Sequence, residues 1–317
     1  MMAEKRITDK NRFHIKLIYP LDLRLRALQT MLIGMILLFT GVSCQQPTAE
    51  VTTLRLAHAL DVSHPVHQGI IHMSEQLAEI SNGELIMEVY PSGQLGSERE
   101  CLELLQVGSL DMTKVSAAVM ENFAPVYEVL SIPYIFQNRA HAYQVLDGEI
   151  GQHFLEQGTR YRLRGLAFYD AGSRSFYTKD KPVESPADIE GLKIRVQRSK
   201  TAVRMISDMG GSPTPIAWGE LYTALQQGVV DGAENNPPSF YFSRHFEVCK
   251  YYSINEHTSV PDVLVIGTST WGRLTEKQKD WVTEAARRSA KYQRKVWRAS
   301  EKDCLEKMIQ QGVQVSS

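Results

Sequence analysis

The sequence predicts an α/β fold, and three observations carry that prediction. Short apolar runs with period-2 alternation, such as "GLKIRVQRSK" from Gly191 to Lys200, recur along the chain. Between them lie segments whose apolar residues repeat every three to four positions, the mark of helices packed on one face. The 317 residues are 43% hydrophobic and 22% charged, enough for a large core, and their length favours about two domains. Strands that alternate with helices imply parallel βαβ units.

The N-terminus stands apart from this pattern. "MLIGMILLFTGVS", Met31 to Ser43, is uncharged, and Arg24 and Arg26 precede it. Its thirteen residues would rise about 20 Å as a helix, short of the roughly 30 Å hydrocarbon core. The run reads as the h-region of an export signal. Met1 to Thr30 is long for an n-region, which leaves the translation start open. Cys44, in "GVSCQQ", resembles the lipidated cysteine of a bacterial lipobox, although Gly41 stands where Leu is preferred. Plain signal cleavage near this point is the other reading. Residues 1–44 are thus expected to be a signal segment, and 45–50, "QQPTAE", a polar tether. Cys101, Cys249 and Cys304 are too widely spaced for a disulfide framework or a zinc site and are expected to be buried as small hydrophobes.

The folded region then runs in order. "VTTLRLAHA" is a strand. "SHPVHQGIIHMSEQLAEIS" is a helix, with Ser63 as N-cap, Pro65 in the first turn, and Val66, Ile70, Met73, Leu77 and Ile80 on one face. "GELIMEVYP" is a second strand. "SERECLELLQVGSL" is a helix with a Ser97–Glu100 capping box, and "DMTKVSAA" a third strand. "RGLAFYDAGSRSFYT" reads as strand and crossover, and "SPADIEG" as a capped turn before the strand at Gly191. "SKTAVRMISDMGG" is a helix ended by glycine. "WGELYTALQQGVVDGAEN" is a helix leading into a strand, and "LVIGTSTW" another strand. From Thr275, with its Gln278 capping partner, a helical pattern of about 35 residues follows, three times the usual length and long enough to span two domains.

Eight motifs, among them "HPVHQG", "YPSGQLGSERE", "LSIPYIF", "GLKIRV", "GGSPTPI" and "ELYTALQQGVVDGAENNP", occur in an order that resembles one family. They are similar to the DctP-type extracytoplasmic solute-binding subunit of TRAP (tripartite ATP-independent periplasmic) transporters, from about Val51 to Val313. The resemblance implies a two-lobed periplasmic-binding-protein-like fold, with a ligand cleft between the lobes and a long bridging helix. Lobe I would take 51–171 plus 261–300, and lobe II 172–260 plus 301–317. The family usually adds a further helix after the "GVQV" position, whereas this sequence stops at Ser317.

Candidate site residues follow from both sources. Taken alone, Arg195 in a short strand reads as a solvated edge residue; the resemblance makes it the carboxylate-binding arginine of "KIRV". A planar guanidinium meets a carboxylate with two parallel hydrogen bonds that lysine cannot reproduce. The resemblance also maps ligand contacts onto Arg174, otherwise a loop ion pair, and onto Asn235, otherwise turn chemistry, with Asn236 as a spare. Glu98 is either a helix-dipole charge or an acceptor for ligand hydroxyls. Trp218 packs in the core or against a sugar face. Ser116 ends a strand, where ligands of open α/β sheets gather. In the cluster of His58, His64, His67 and His72, the spacing suits a metal poorly, so a cleft hydrogen bond from His58 or His64 is expected. Arg198 stays open between a rim contact and a solvated helix start.

The net charge of −1 gives no electrostatic ground for a nucleic-acid partner. GxSxG, HExxH, Walker A and GxGxxG motifs do not occur. The expectation is therefore a periplasmic binding protein and not an enzyme, with no cofactor or metal, monomeric, and possessing a lipid anchor if Cys44 is modified. It would deliver a small carboxylate, best a sugar acid such as glucuronate or galacturonate, to TRAP permease subunits. The alternatives are a C4-dicarboxylate or keto or hydroxy acid, an enzyme acting on a sugar acid in the same cleft, and a ligand-sensing lipoprotein.

Overall fold

Strands from Val51 onward sort into two mixed sheets, and the chain passes between them at residues 170–173 and 259–261 and a third time along helix Glu276–Gln310. The computed structural model describes residues 26, 29–32 and 51–317. Residues 29–32 are helical. The apolar run from 33 on, Cys44 and the tether lie outside the described residues. No helix among the described residues is long and apolar enough to cross a membrane.

The first sheet has the order β2-β1-β3-β10-β4, built from β1 (Thr52–Ala57), β2 (Leu85–Tyr90), β3 (Met112–Ser116), β4 (Leu163–Tyr169) and β10 (Asp262–Gly267). β1 pairs in parallel with β2 and β3, as the βαβ pattern predicts. β10 returns late in the chain and inserts antiparallel between β3 and β4, which strand–helix alternation does not predict. Its alternation fills both faces. Leu264 and Ile266 pack toward helix Pro65–Ile80, and Val263 and Val265 toward helix Glu98–Val107.

The second sheet runs β11-β9-β5-β8-β6-β7, from β5 (Arg174–Thr178), β6 (Lys193–Val196), β7 (Ser212–Pro215), β8 (Gly232–Asn235), β9 (Tyr251–Thr258) and β11 (Gln314–Ser316). Ile194 and Val196 of β6 enter the apolar cluster beneath helix Lys200–Asp208. Arg195 lies between them, so the pleat turns it to the opposite face.

The long helix is Glu276–Gln310, opened by the Thr275–Gln278 capping box, and spans about 52 Å. Val282, Ala286 and Trp297 pack into the first lobe's core, and Met308 into the second's, so one rigid element serves both lobes. Its approach to helix Pro65–Ile80 requires Gly69. A Cβ there would stand 2.7 Å from Gln293 Cβ. Two local expectations shift. The first helix is capped by His64 and not Ser63, since His64 Nδ1 accepts from Val66 N at 3.2 Å. Two helices, Arg139–Asp147 and Glu149–Gln157, escaped the sequence reading. Cys101, Cys249 and Cys304 are free and buried, and burial pushes their thiols up to about 11, 12 and 11.

Candidate functional site

A cleft of about 780 Å³, counting its open mouth, lies between the lobes at the C-terminal ends of β3, β6 and β8. This is where open α/β sheets place ligands. Arg195 projects into it from β6 and is only 2% exposed. Its Nε donates to Ile216 O at 2.9 Å, while its Nη1 and Nη2 make no hydrogen bond among the described residues. No carboxylate among the described residues pairs with it. Burial, with a contribution from Arg174, lowers its pKa to about 10, so it stays charged at neutral pH. Cζ lies 5.8 Å from the Trp218 ring, a cation–π contact that offsets part of the desolvation. A buried, unpaired guanidinium is costly unless something anionic arrives.

Arg174 also lines the cleft, but its charge is already matched. Its Nε and Nη2 form a two-pronged pair with Glu234, in which Nη2 lies 2.8 Å from Oε1, and Nη2 also donates to Glu234 O at 2.7 Å. Burial alone would lower the Arg174 pKa; Glu234 overcomes this and raises it. For Glu234, burial alone would raise the pKa, yet Arg174 and His257, at 3.5 Å, bring it down to about 2. The remaining Arg174 nitrogen, Nη1, donates to Asn235 Oδ1 at 2.9 Å. Asn235 Oδ1 also accepts from Asn236 N and Nδ2, at 2.9 and 3.0 Å. The amide oxygen is thereby saturated, and Asn235, which lines the cleft, has no partner for its Nδ2 among the described residues. Asn236 is committed elsewhere: it caps helix Pro237–Phe242 through Ser239 N at 2.8 Å and donates to Ala171 O at 2.9 Å.

The facing wall comes from the first lobe. Glu98 opens its helix, Ser116 ends β3 and caps the next turn, and between them Lys114 is buried with its Nζ 2.9 Å from Glu98 Oε1 and 3.3 Å from Asp262 Oδ2. Trp218 spans the gap, half-buried against both lobes' apolar clusters. His64 also lines the cleft. Because its Nδ1 accepts from Val66 N, its Nε2 carries the proton and donates to Ser239 Oγ, 3.2 Å away across the lobes. Burial, then Lys114, holds its pKa well below the usual histidine range, so it is neutral.

The lobes also meet through Glu121. Its carboxylate, from the first lobe, accepts from Lys200 N at 2.5 Å and Thr201 N at 3.4 Å, the first two amides of helix Lys200–Asp208 in the second lobe. Its other oxygen accepts from Ser131 Oγ at 3.2 Å. Ser199 is the helix's own N-cap, accepting from Ala202 N at 3.0 Å, and Glu121 adds a carboxylate from the other lobe at the positive end of the helix. Glu121→Ala removes contacts worth about 1 kcal/mol and is expected to enlarge the radius of gyration in small-angle scattering. An unchanged radius would show that this carboxylate does not hold the lobes together.

Of the residues singled out from the sequence, the structure brings Arg195, Arg174, Asn235, Glu98, Ser116 and Trp218 to one cleft, with Arg198 also on its lining. It does not bring His58 there. His58 is buried behind, its Nδ1 accepting from Leu60 N at 3.2 Å and its Nε2 facing His67 Nδ1 at 3.0 Å, so no ring nitrogen is left for a ligand; His64 occupies the lining instead. Lys114, Asp262, Glu234 and Glu121 were missed because each acquires its meaning from a partner distant in sequence. Among the described residues no cluster of three or more His, Cys, Asp or Glu is arranged to hold a metal.

Residues 56–317 match the family described as bacterial extracellular solute-binding protein, family 7. A solute-binding protein of Chromohalobacter salexigens is 36% identical over 269 residues, covering 85% of this chain and 80% of its own. Among solved structures, a TRAP periplasmic solute-binding protein from a Bradyrhizobium species, in complex with galacturonate, is 42% identical with a TM-score of 0.82, covering 83% of this chain and 88% of that one. Another from Anaerococcus prevotii, with bound glucuronate, is 39% identical with a TM-score of 0.82, covering 84% and 86%.

Proposed function

This chain belongs to the family 7 bacterial extracellular solute-binding proteins, and from that premise we propose that its cleft captures a hexuronate, glucuronate or galacturonate. It is a TRAP solute-binding protein of the periplasm, a transport component and not an enzyme, that takes a small carboxylate and works with membrane permease subunits. The observation that carries the proposal is the buried Arg195 guanidinium, whose Nη1 and Nη2 have no hydrogen-bond partner among the described residues and face an otherwise built cleft. The ligand carboxylate docks on that fork. Asn235 Nδ2 donates to the same end of the ligand, and Arg174 fixes Asn235 in the orientation that allows it. Glu98 and Ser116 receive hydroxyls on the facing wall, and the Trp218 ring covers a C–H face of the sugar. Binding selects the clasped arrangement of the lobes, which the permease then reads. We further assign lobe I to 51–171 plus 261–300 and lobe II to 172–260 plus 301–317, treat the protein as a monomer, and take Cys44 as its lipid anchor. The solved relatives with bound galacturonate or glucuronate support the choice of ligand.

The test is a thermal-shift panel of organic acids on the full protein. A ligand at 100 times its Kd stabilises the folded state by about 2.7 kcal/mol. D-glucuronate or D-galacturonate is expected to give the largest shift. A shift from succinate or a keto acid, with none from either uronate, would reject the ligand assignment.

A further inference from the structure

We propose that Lys114, Glu98 and Asp262 form a charge filter that admits the hydroxyl end of a monoanionic ligand and refuses a second carboxylate. The inference rests on the sugar-acid reading above and adds a rule for what the cleft excludes.

Three different elements build this end of the cleft. Glu98 is the first residue of its helix, Lys114 lies on β3, and Asp262 begins β10, whose antiparallel register sets Asp262 opposite Ser116 and Leu264 opposite Lys114. Lys114 is 2% exposed. Its Nζ reaches one oxygen of each carboxylate, Glu98 Oε1 and Asp262 Oδ2. The other oxygens, Glu98 Oε2 and Asp262 Oδ1, accept no hydrogen bond among the described residues, and both residues line the cleft. An ammonium group has three donors, so one proton of Lys114 is uncommitted as well. This wall therefore presents several acceptors and one donor, the complement of vicinal hydroxyls.

Its charge decides what else can sit there. With both acids ionised, one ammonium and two carboxylates sum to −1, across the cleft from the +1 of Arg195; burial raises the Asp262 pKa, and the Lys114 ammonium beside it opposes that rise. Burial alone would lower the Lys114 pKa, and Asp262 and Glu98 outweigh it and raise it, which favours the ammonium form. Lys114 is a positioning residue: without it two adjacent buried carboxylates could not both stay ionised. A monocarboxylate with hydroxyls at its far end meets an opposite charge at Arg195 and acceptors at the filter. A dicarboxylate of the same length must set its second anion against Glu98 and Asp262, and like-charge contact is a strong means of rejection.

The test compares each ligand with itself across variants, so differences in ligand shape cancel. Affinities of D-glucuronate and of its dicarboxylate counterpart D-glucarate are measured by calorimetry on the wild type, Glu98→Gln and Asp262→Asn. Each near-isosteric substitution brings the filter from −1 to 0. The glucarate-to-glucuronate affinity ratio is expected to rise by about tenfold or more in each variant. A ratio unchanged within about twofold in the folded variants, verified by circular dichroism, overturns the filter even if glucuronate binds. Glu98→Gln alters the first turn of a helix and keeps the test available should Asp262→Asn fail to fold. If the panel returns another monoacid in place of a uronate, the same ratio is taken with that acid and its dicarboxylate analogue. A rise there upholds the filter while the uronate assignment falls. A wild type that prefers the dicarboxylate overturns both.

Discussion

Arg195→Met is expected to abolish acid binding while leaving the empty protein as stable as the wild type or more stable. Arg195 holds a charge that no carboxylate among the described residues neutralises, and burial already lowers its pKa to about 10. The folded state bears that desolvation cost until a ligand arrives, and methionine fills similar space without it. Replacing a buried charged group by a well-packed apolar one is often neutral or stabilising, by about 1–4 kcal/mol for a whole ion pair. Binding moves the other way, because the ligand carboxylate would enter the cleft with nothing to meet it. Loss of one partner of a buried charge pair costs about 2–5 kcal/mol, roughly 30-fold to several-thousand-fold in Kd. Calorimetry and urea unfolding on the same variant separate the two effects. A stability loss above about 2 kcal/mol would make Arg195 a structural residue and remove its unpaired charge from the explanation.

Glu234→Ala is expected to destabilise the fold by about 3–5 kcal/mol, the cost of leaving Arg174 buried without its partner. The pH dependence gives an independent signature. The Glu234 pKa is held at about 2 in the folded protein, against 4.5 in the free residue. A carboxylate with a depressed folded-state pKa contributes stability above its unfolded value and loses it as pH falls toward the folded one. In the wild type this contribution, on the order of 3 kcal/mol, is therefore intact above about pH 4.5 and disappears between there and pH 2. The variant lacks that part of the acid limb, which denaturant titrations from pH 6 to 2.5 would reveal. Binding also weakens, since Asn235 takes its orientation from Arg174 Nη1. A loss below about 1 kcal/mol with an unaltered acid limb would mean that Arg174 is stabilised by other groups.

How much of this was legible in the sequence depended on the range of each interaction. The period of "GLKIRV" set the direction of Arg195: with Ile194 and Val196 in the core, the residue between them had to point the other way. Local chemistry also marked the Ser97 and Thr275 capping boxes and the long bridging helix. "DGAENNP" was ambiguous because Asn235 and Asn236 are both compatible with a turn. Only the fold shows that Asn236 is spent as a cap and Asn235 is not. Among the histidines, sequence spacing could not distinguish a ring enclosed by His67 and Leu60 from one facing the cleft. The antiparallel insertion of β10 left no local trace, and with it went the pairing of Lys114 with Asp262. Glu121 in turn is an unremarked acid until helix Lys200–Asp208 from the other lobe is set on top of it.

The central claim is that Arg195 selects its ligand by the carboxylate, and titrating the wild-type protein with matched sugars tests it most directly. D-glucuronate and D-galacturonate differ from D-glucose and D-galactose by a carboxylate in place of a hydroxymethyl group. Calorimetry should show saturable binding of at least one uronate and none of its neutral counterpart, because a neutral ligand leaves the Arg195 fork buried and unpaired. Equal affinity for a uronate and its neutral sugar would contradict the claim.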